Sequence, residues 1–239
     1  MTNPTAGINE FMRICCGHCE PQSIVMAGMG RSREARRLRE VFAGATLIGV
    51  DPLRKYTAFG RRRRQFDRVF LAALWGRNEE VRIWTDYSES ESATAYALLE
   101  PLPDAASVTV RGWTLDALKR RSRAFWRSPV LLWLDAEGAE AEILAGAGAA
   151  LDDVTWLNVE VCLASGRDAP DLFAVSDVLR ARGFRLAGLH SGARDCRTFD
   201  GVYVREAQLT ELRRLTCQES TTRKIASRAR GLASASQDI

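Results

Sequence analysis

Apolar residues gather in short runs separated by polar, arginine-rich stretches. The runs 23-SIVMAG-28, 46-TLIGVD-51, 68-RVFLAALW-75, 129-PVLLWLD-135 and 155-TWLNVEV-161 are almost continuously hydrophobic. Such runs predict strands buried on both faces, as in a parallel sheet covered by helices. Helical patterns fall between them. In 31–44 an apolar stripe of Leu38, Val41 and Phe42 precedes Gly44, a suitable stop. Further helices are predicted over 115–123 behind Thr114, over 139–147 and over 171–183. The segments 80–87 and 107–113 alternate apolar with polar, as strands with one exposed face do. The segments 184–190 and 201–206 read as an antiparallel pair at a sheet edge.

The pattern fades elsewhere. Residues 88–105 are polar and then proline-punctuated, which predicts a loop. A short helix is expected over 8–16 and another over 208–215. From about Thr221 the chain is polar and rich in small residues, so a disordered tail is expected. The organisation expected is an N-terminal segment (1–22), one α/β domain (23–206), and a C-terminal helix with tail (207–239).

Composition narrows the classes. The chain has 239 residues, 46% hydrophobic and 27% charged, with net charge +4. No apolar run approaches the roughly 18–20 residues that span a bilayer. The start, MTNPTAGINEF, lacks a basic region followed by an apolar one, so a cytoplasmic location without membrane attachment is expected. Lysine occurs only at Lys55, Lys119 and Lys224, and such uniform arginine usage points to genome composition more than to a partner. The run 61-RRRR-64 reads as a solvated face or loop that could meet phosphates. Cys15, Cys16 and Cys19 cluster around His18, but one segment without a second ligand pair is poor zinc architecture, and no metal is expected.

Open parallel sheets bind ligands beyond the carboxyl ends of their strands. The first predicted strand ends in Gly28 and Gly30, which allow close backbone approach. The second ends in Asp51, placed where an acid accepts hydrogen bonds from ribose hydroxyls. The fourth ends in Asp135 and Glu137, which in strand geometry share a face. Two neighbouring carboxyls push one pKa up, which suits general-base work. Glu140 falls in the first turn of the next helix, where a carboxylate also stabilises the helix start. Glu160 ends the fifth strand, and His190 stands at a later strand end. A dinucleotide site is disfavoured, because Arg33 occupies the third glycine position of G-x-G-x-x-G.

The segment 131-LLWLDAEGAEAEILAGAGAALDDVTWLNVEV-161 resembles the signature of the FkbM family of S-adenosylmethionine-dependent methyltransferases. Asp135, Glu137, Gly138, Ala139 and Glu140 follow its D-x-E-G-A-E block. Leu144, Gly146, Ala147 and Glu160 continue it, and 113-WTLDAL-118, 71-LAALWG-76 and 49-GVDP-52 are weaker matches. The likeness spans roughly residues 23–206. It departs at the first strand, where Met26 stands at the usual acid, and at Trp133, where a lysine is usual.

The resemblance implies a class I methyltransferase-like, Rossmann-like α/β fold: a mostly parallel sheet, helices on both faces, and an antiparallel edge hairpin. It implies S-adenosyl-L-methionine as cofactor, with Gly28 and Gly30 beside its methionine moiety, Asp51 on its ribose, and Ala73 and Leu74 flanking its adenine. Asp135 and Glu137 take the catalytic roles, and Glu140, Glu160 and His190 contact the acceptor, a hydroxyl on a small metabolite or sugar. Met26 motivates an alternative, a non-catalytic binding or regulatory module on the same fold. Nucleic-acid binding through the arginine clusters is a weaker one.

Overall fold

The structure, a computed structural model, describes residues 12–13, 16, 19–31, 33–85, 93–94, 106–163, 170–190 and 198–210. In chain order its elements are β1 (Ser23–Ala27), α1 (Arg33–Val41), β2 (Thr46–Asp51), α2 (Arg54–Arg63), β3 (Arg68–Leu71) and β4 (Ala73–Leu74). There follow β5 (Glu80–Thr85), β6 (Ala93–Thr94), β7 (Ala106–Trp113), α3 (Leu115–Arg121), β8 (Val130–Leu134) and α4 (Glu140–Ala145). The last are β9 (Val154–Cys162), α5 (Leu172–Ala181), β10 (Phe184–His190) and β11 (Thr198–Arg205). The predicted loop over 88–105 and the predicted helices over 8–16 and 208–215 lie largely outside the described residues. The tail from Thr221 lies wholly outside them.

A seven-stranded sheet in the order β10-β11-β9-β8-β1-β2-β3 organises the molecule. β1 pairs in parallel with β8 on one side and β2 on the other. β11 runs antiparallel to both β9 and β10, giving the expected edge hairpin. The strand order reverses at β1, and that switch point opens a crevice beyond the carboxyl ends of β1, β2 and β8.

The two-residue period of the strands divides the core. Val25, Ala27, Ile48, Val50, Leu132 and Leu134 face one side, covered by Leu115 and Leu118 of α3, Ile143 of α4 and Val175 of α5. Ile24, Met26, Leu47, Leu131 and Trp133 face the other, covered by Ala35 and Leu38 of α1 and by Phe42. Met12 and Cys16 pack into this second face, fully buried. Helices therefore cover both faces. Among the described residues no helix is long and apolar enough to cross a membrane.

One expectation about elements changes. The run 68–75 is not one strand. Ala72 N–H donates to Asp51 O at 3.2 Å, and the chain then leaves the main sheet, so Ala73–Leu74 pairs with β7 instead. β4, β7, β5 and β6 form a second, four-stranded sheet. The run 61-RRRR-64 is the solvated face of its two expected readings: Arg61–Arg63 form the last turn of α2, Arg64 caps it in the left-handed conformation, φ 52°, and all four are exposed.

Candidate active site

The loop after β1 is seated by backbone bonds on both sides. Gly28 N–H donates to Val50 O (3.1 Å) and Asp135 N–H to Ala27 O (3.0 Å). Asp51, almost wholly buried, then pins the loop's next turn. Its Oδ2 accepts from Met29 N–H (2.8 Å) and Gly30 N–H (3.4 Å), and its Oδ1 from Leu53 N–H (2.8 Å). Burial pushes this carboxyl up to about 6, against the opposing pull of those three N–H groups and of Lys55.

The two glycines serve different ends. Gly28 has φ +78°, and a Cβ there would run into the carbonyl of Asp135. The residue is needed for backbone packing between the loop and the β8 end, not for room beside a ligand. Gly30 has φ +45° with open space where its Cβ would stand. Gly28→Ala combines a strained φ with a backbone clash, and a loss of at least ~3 kcal/mol in stability is expected from chemical denaturation.

Asp135 and Glu137 do not share a strand face, because β8 ends at Leu134. They stand instead on a tight turn in which Glu137 has φ +53° and Gly138 φ +97°. A glutamate held in the left-handed region is strained, and the surrounding structure must hold it there. Glu140 does so. Fully buried, it accepts from Ala136 N–H at Oε1 (2.6 Å) and Gly138 N–H at Oε2 (3.0 Å). Glu140 was expected at the acceptor; both its oxygens are engaged behind the pocket wall.

These parts meet in one cavity of about 270 Å³. Gly28, Gly30 and Asp51 line it from one side, and Asp135 and Glu137 from the other. Ala73 and Leu74 line it too, joined by Val81 and Ile83 from the second sheet. Arg31, Tyr56 and Trp75 also reach it and were not singled out from sequence as site residues. Glu160 and His190 are not among its lining residues. Glu160 is opposite Asp200 in the β9–β11 register, and His190 Nδ1 lies 3.9 Å from Asp200 Oδ2. Met26 packs into the second-face core and does not line the cavity.

The polar end of the cavity is dominated by carboxyls. Burial, and then the charges of Glu160, Glu137, Glu140 and Asp200, hold Asp135 well above the ordinary carboxylate range. Asp200 is raised by burial, although Asn158 Nδ2 donates to it at 2.8 Å. Burial raises Glu140 to about 7. Asp135 therefore holds a proton to higher pH than an ordinary carboxyl, and the whole end favours a cationic guest.

A stability prediction follows from Glu140. Its folded-state pKa of about 7 exceeds the ordinary 4.5, so the folded chain binds the extra proton. The favourable contribution is complete below about pH 4.5 and is lost as pH rises through about 7. The difference is on the order of 3 kcal/mol. Denaturation at several pH values is expected to show Glu140→Gln losing less stability than the wild type between about pH 5 and pH 8. An unchanged slope would contradict this assignment.

Comparison with known proteins agrees with the architecture. A family profile described as "Methyltransferase FkbM domain" matches residues 16–186. The methyltransferase FkbM from Methylobacillus flagellatus KT superposes with TM-score 0.50 at 14% identity, covering 77% of this chain and 43% of that one. This chain thus spans less than half of that protein's length. The magnesium protoporphyrin IX methyltransferase (ChlM) from Synechocystis PCC 6803, solved with bound SAM, has TM-score 0.46 at 15% identity, covering 85% of this chain and 82% of that one. A Burkholderia thailandensis 1,6-didemethyltoxoflavin-N1-methyltransferase has TM-score 0.45 at 12% identity, covering 84% and 78%. No curated protein matches the sequence. With the domain match extending over most of the chain and the switch-point pocket built from its signature block, this protein belongs to the FkbM methyltransferase family.

Proposed function

We propose that the chain methylates a hydroxyl group of a small metabolite or sugar, using S-adenosylmethionine. One observation carries this reading: the Asp51-pinned glycine loop and the Asp135–Glu137 turn face each other across a single pocket. When bound, the cofactor supplies an activated methyl group on a positively charged sulfur. The carboxyl-rich end of the pocket suits that cation. The apolar wall of Leu74, Val81 and Ile83, with Tyr56 beside it, suits a flat ring.

Each residue then has a task. A carboxylate offers about four lone-pair sites. Backbone N–H groups take up three on Asp51, leaving one for a ribose hydroxyl. Gly30 offers open space beside it. Asp135 accepts the proton of the acceptor hydroxyl, and its raised pKa makes it a stronger base nearer ambient pH. Glu137 orients the acceptor and helps to raise Asp135. Glu140 is a positioning residue that fixes the turn carrying both. Glu160 adds to the field on Asp135, and His190, beside Asp200 and outside the cavity lining, would meet only an acceptor that extends past the pocket. Alignment of donor and acceptor is the larger part of catalysis in such a displacement.

The test is methyl transfer from labelled cofactor to a panel of sugars and small hydroxylated compounds. A methyl ether product is expected. Transfer to amines alone would overturn the hydroxyl assignment. The non-catalytic alternative rests on Met26 and makes a separate prediction. Met26 is 2% exposed and sits beside Trp133 across the β1–β8 register. Met26→Asp buries a carboxylate among apolar side chains, so a stability loss of several kcal/mol without gain in cofactor affinity is expected. A tenfold or greater gain in affinity would favour the alternative.

A further inference from the structure

A second concavity, of about 580 Å³, opens beside the first and shares Arg31 and Tyr56 with it. Arg31, Arg33, Arg36, Lys55 and Arg63 line it, and no acidic side chain does so among the described residues. These cations come from three places: the loop before α1, the first turns of α1, and both ends of α2. α2 contains no acid at all, with sequence RKYTAFGRRR. Phe59 supplies an aromatic wall, with the Arg63 guanidinium 5.2 Å from its ring centre. Gln65 is in the wall too, and its Oε1 is buried without a hydrogen-bond partner among the described residues.

Five like charges around one hollow repel each other, and they focus a positive field into it. Guanidinium groups match phosphate oxygens in charge and in fork geometry. Lys55 also acts on the Asp51 carboxyl of the main pocket, so the field of the hollow rests chiefly on the exposed Arg33, Arg36 and Arg63. Arg36 meets Glu40 only at 3.9 Å, in a highly exposed pair that water screens. Glu34 faces Arg37, which does not line the hollow.

We infer that this basic hollow, formed by Arg31, Arg33, Arg36, Lys55 and Arg63 at the mouth of the main pocket, is a binding site for the phosphate groups of a small phosphorylated molecule. A small molecule fits better than a nucleic acid because the cations converge on one cavity instead of running in line. The neighbouring Arg61 is turned elsewhere, donating to Val69 O (3.3 Å), and Arg62 does not line the hollow. Gln65 adds to the wall an oxygen whose hydrogen-bonding capacity a ligand hydroxyl would meet. This inference goes beyond methyl transfer and stands without it, since the charges converge whatever the main pocket holds.

The test is isothermal titration of the full chain with inorganic pyrophosphate, without cofactor. The wild type is compared with the triple variant Arg33→Gln, Arg36→Gln, Arg63→Gln. All three side chains belong to exposed residues, so the fold is retained, which melting checks. Binding is expected for the wild type at low salt. It should weaken severalfold between about 50 mM and 200 mM salt, as screening of a small anion by added ions predicts. The variant should lose at least tenfold in pyrophosphate affinity while its affinity for S-adenosylmethionine stays within about twofold. Absence of pyrophosphate binding at millimolar concentration would overturn the proposal, as would equal binding by the variant. Tighter binding of single-stranded RNA that pyrophosphate fails to displace would overturn the assignment to a small molecule.

Discussion

Asp51→Ala is expected to abolish binding of S-adenosylmethionine, by at least about a hundredfold. Two losses combine. The ribose hydroxyl loses a charge-assisted acceptor, worth about 1.5–3 kcal/mol. The N–H groups of Met29, Gly30 and Leu53 lose theirs as well. Each buried donor left unsatisfied costs about 1–3 kcal/mol, so the loop that should cradle the cofactor is released from β2. Asp51→Asn separates the two effects. Its amide oxygen keeps one backbone bond but turns an NH2 towards other donors, so an intermediate loss is expected. Titration calorimetry of the three proteins reads this directly. Wild-type affinity is also expected to fall as pH drops through about 6, where Asp51 takes up a proton.

The second large effect separates binding from turnover. Asp135→Asn should keep cofactor affinity within a fewfold, because the glycine loop and Asp51 stay in place. Methyl transfer should fall by about 10²–10⁴, the usual worth of a positioned general base. The wild-type rate should rise with pH through the raised pKa of Asp135, so its acid limb lies well above the ordinary carboxylate range. Glu137→Gln removes one of the charges that raise Asp135, and its acid limb should move to lower pH. A structural role for Glu137 alone would change the rate without moving the limb. If Asp135→Asn retained full turnover, the base would have to be sought elsewhere, with His190 the next candidate.

Much of this was legible because burial on both faces leaves a plain trace. β1, β2, β8 and β9 carry few polar residues, and their ends, at Gly28, Asp51 and Asp135, fall at the switch point. α2 left no such trace. Only Tyr56, Thr57 and Gly60 of its residues are buried, and its other positions are mostly arginine or small, so no apolar stripe shows. The run 68–75 misled because both of its halves are buried, while a tertiary event, the departure of Ala73–Leu74 to a second sheet, divides it.

The candidate site was legible as strand ends and illegible as walls. Val81 and Ile83 reach the pocket only because β5 folds over it, which local alternation cannot reveal. The role of Glu140 was hidden for another reason. Its position at a helix start suits either ligand contact or backbone capping, and only the turn at Glu137–Gly138, with two consecutive positive φ values, explains why both of its oxygens are needed for backbone. Gly28 is similar: sequence suggests room for a ligand, whereas the space is filled by the Asp135 carbonyl.

S-adenosylmethionine is expected to bind in the switch-point pocket, held through Asp51. Isothermal titration of the purified chain with that cofactor tests it most directly. Saturable one-to-one binding is expected, which Asp51→Ala eliminates and Asp135→Asn preserves. Absence of binding at millimolar cofactor, in a chain that melts cooperatively, would contradict it.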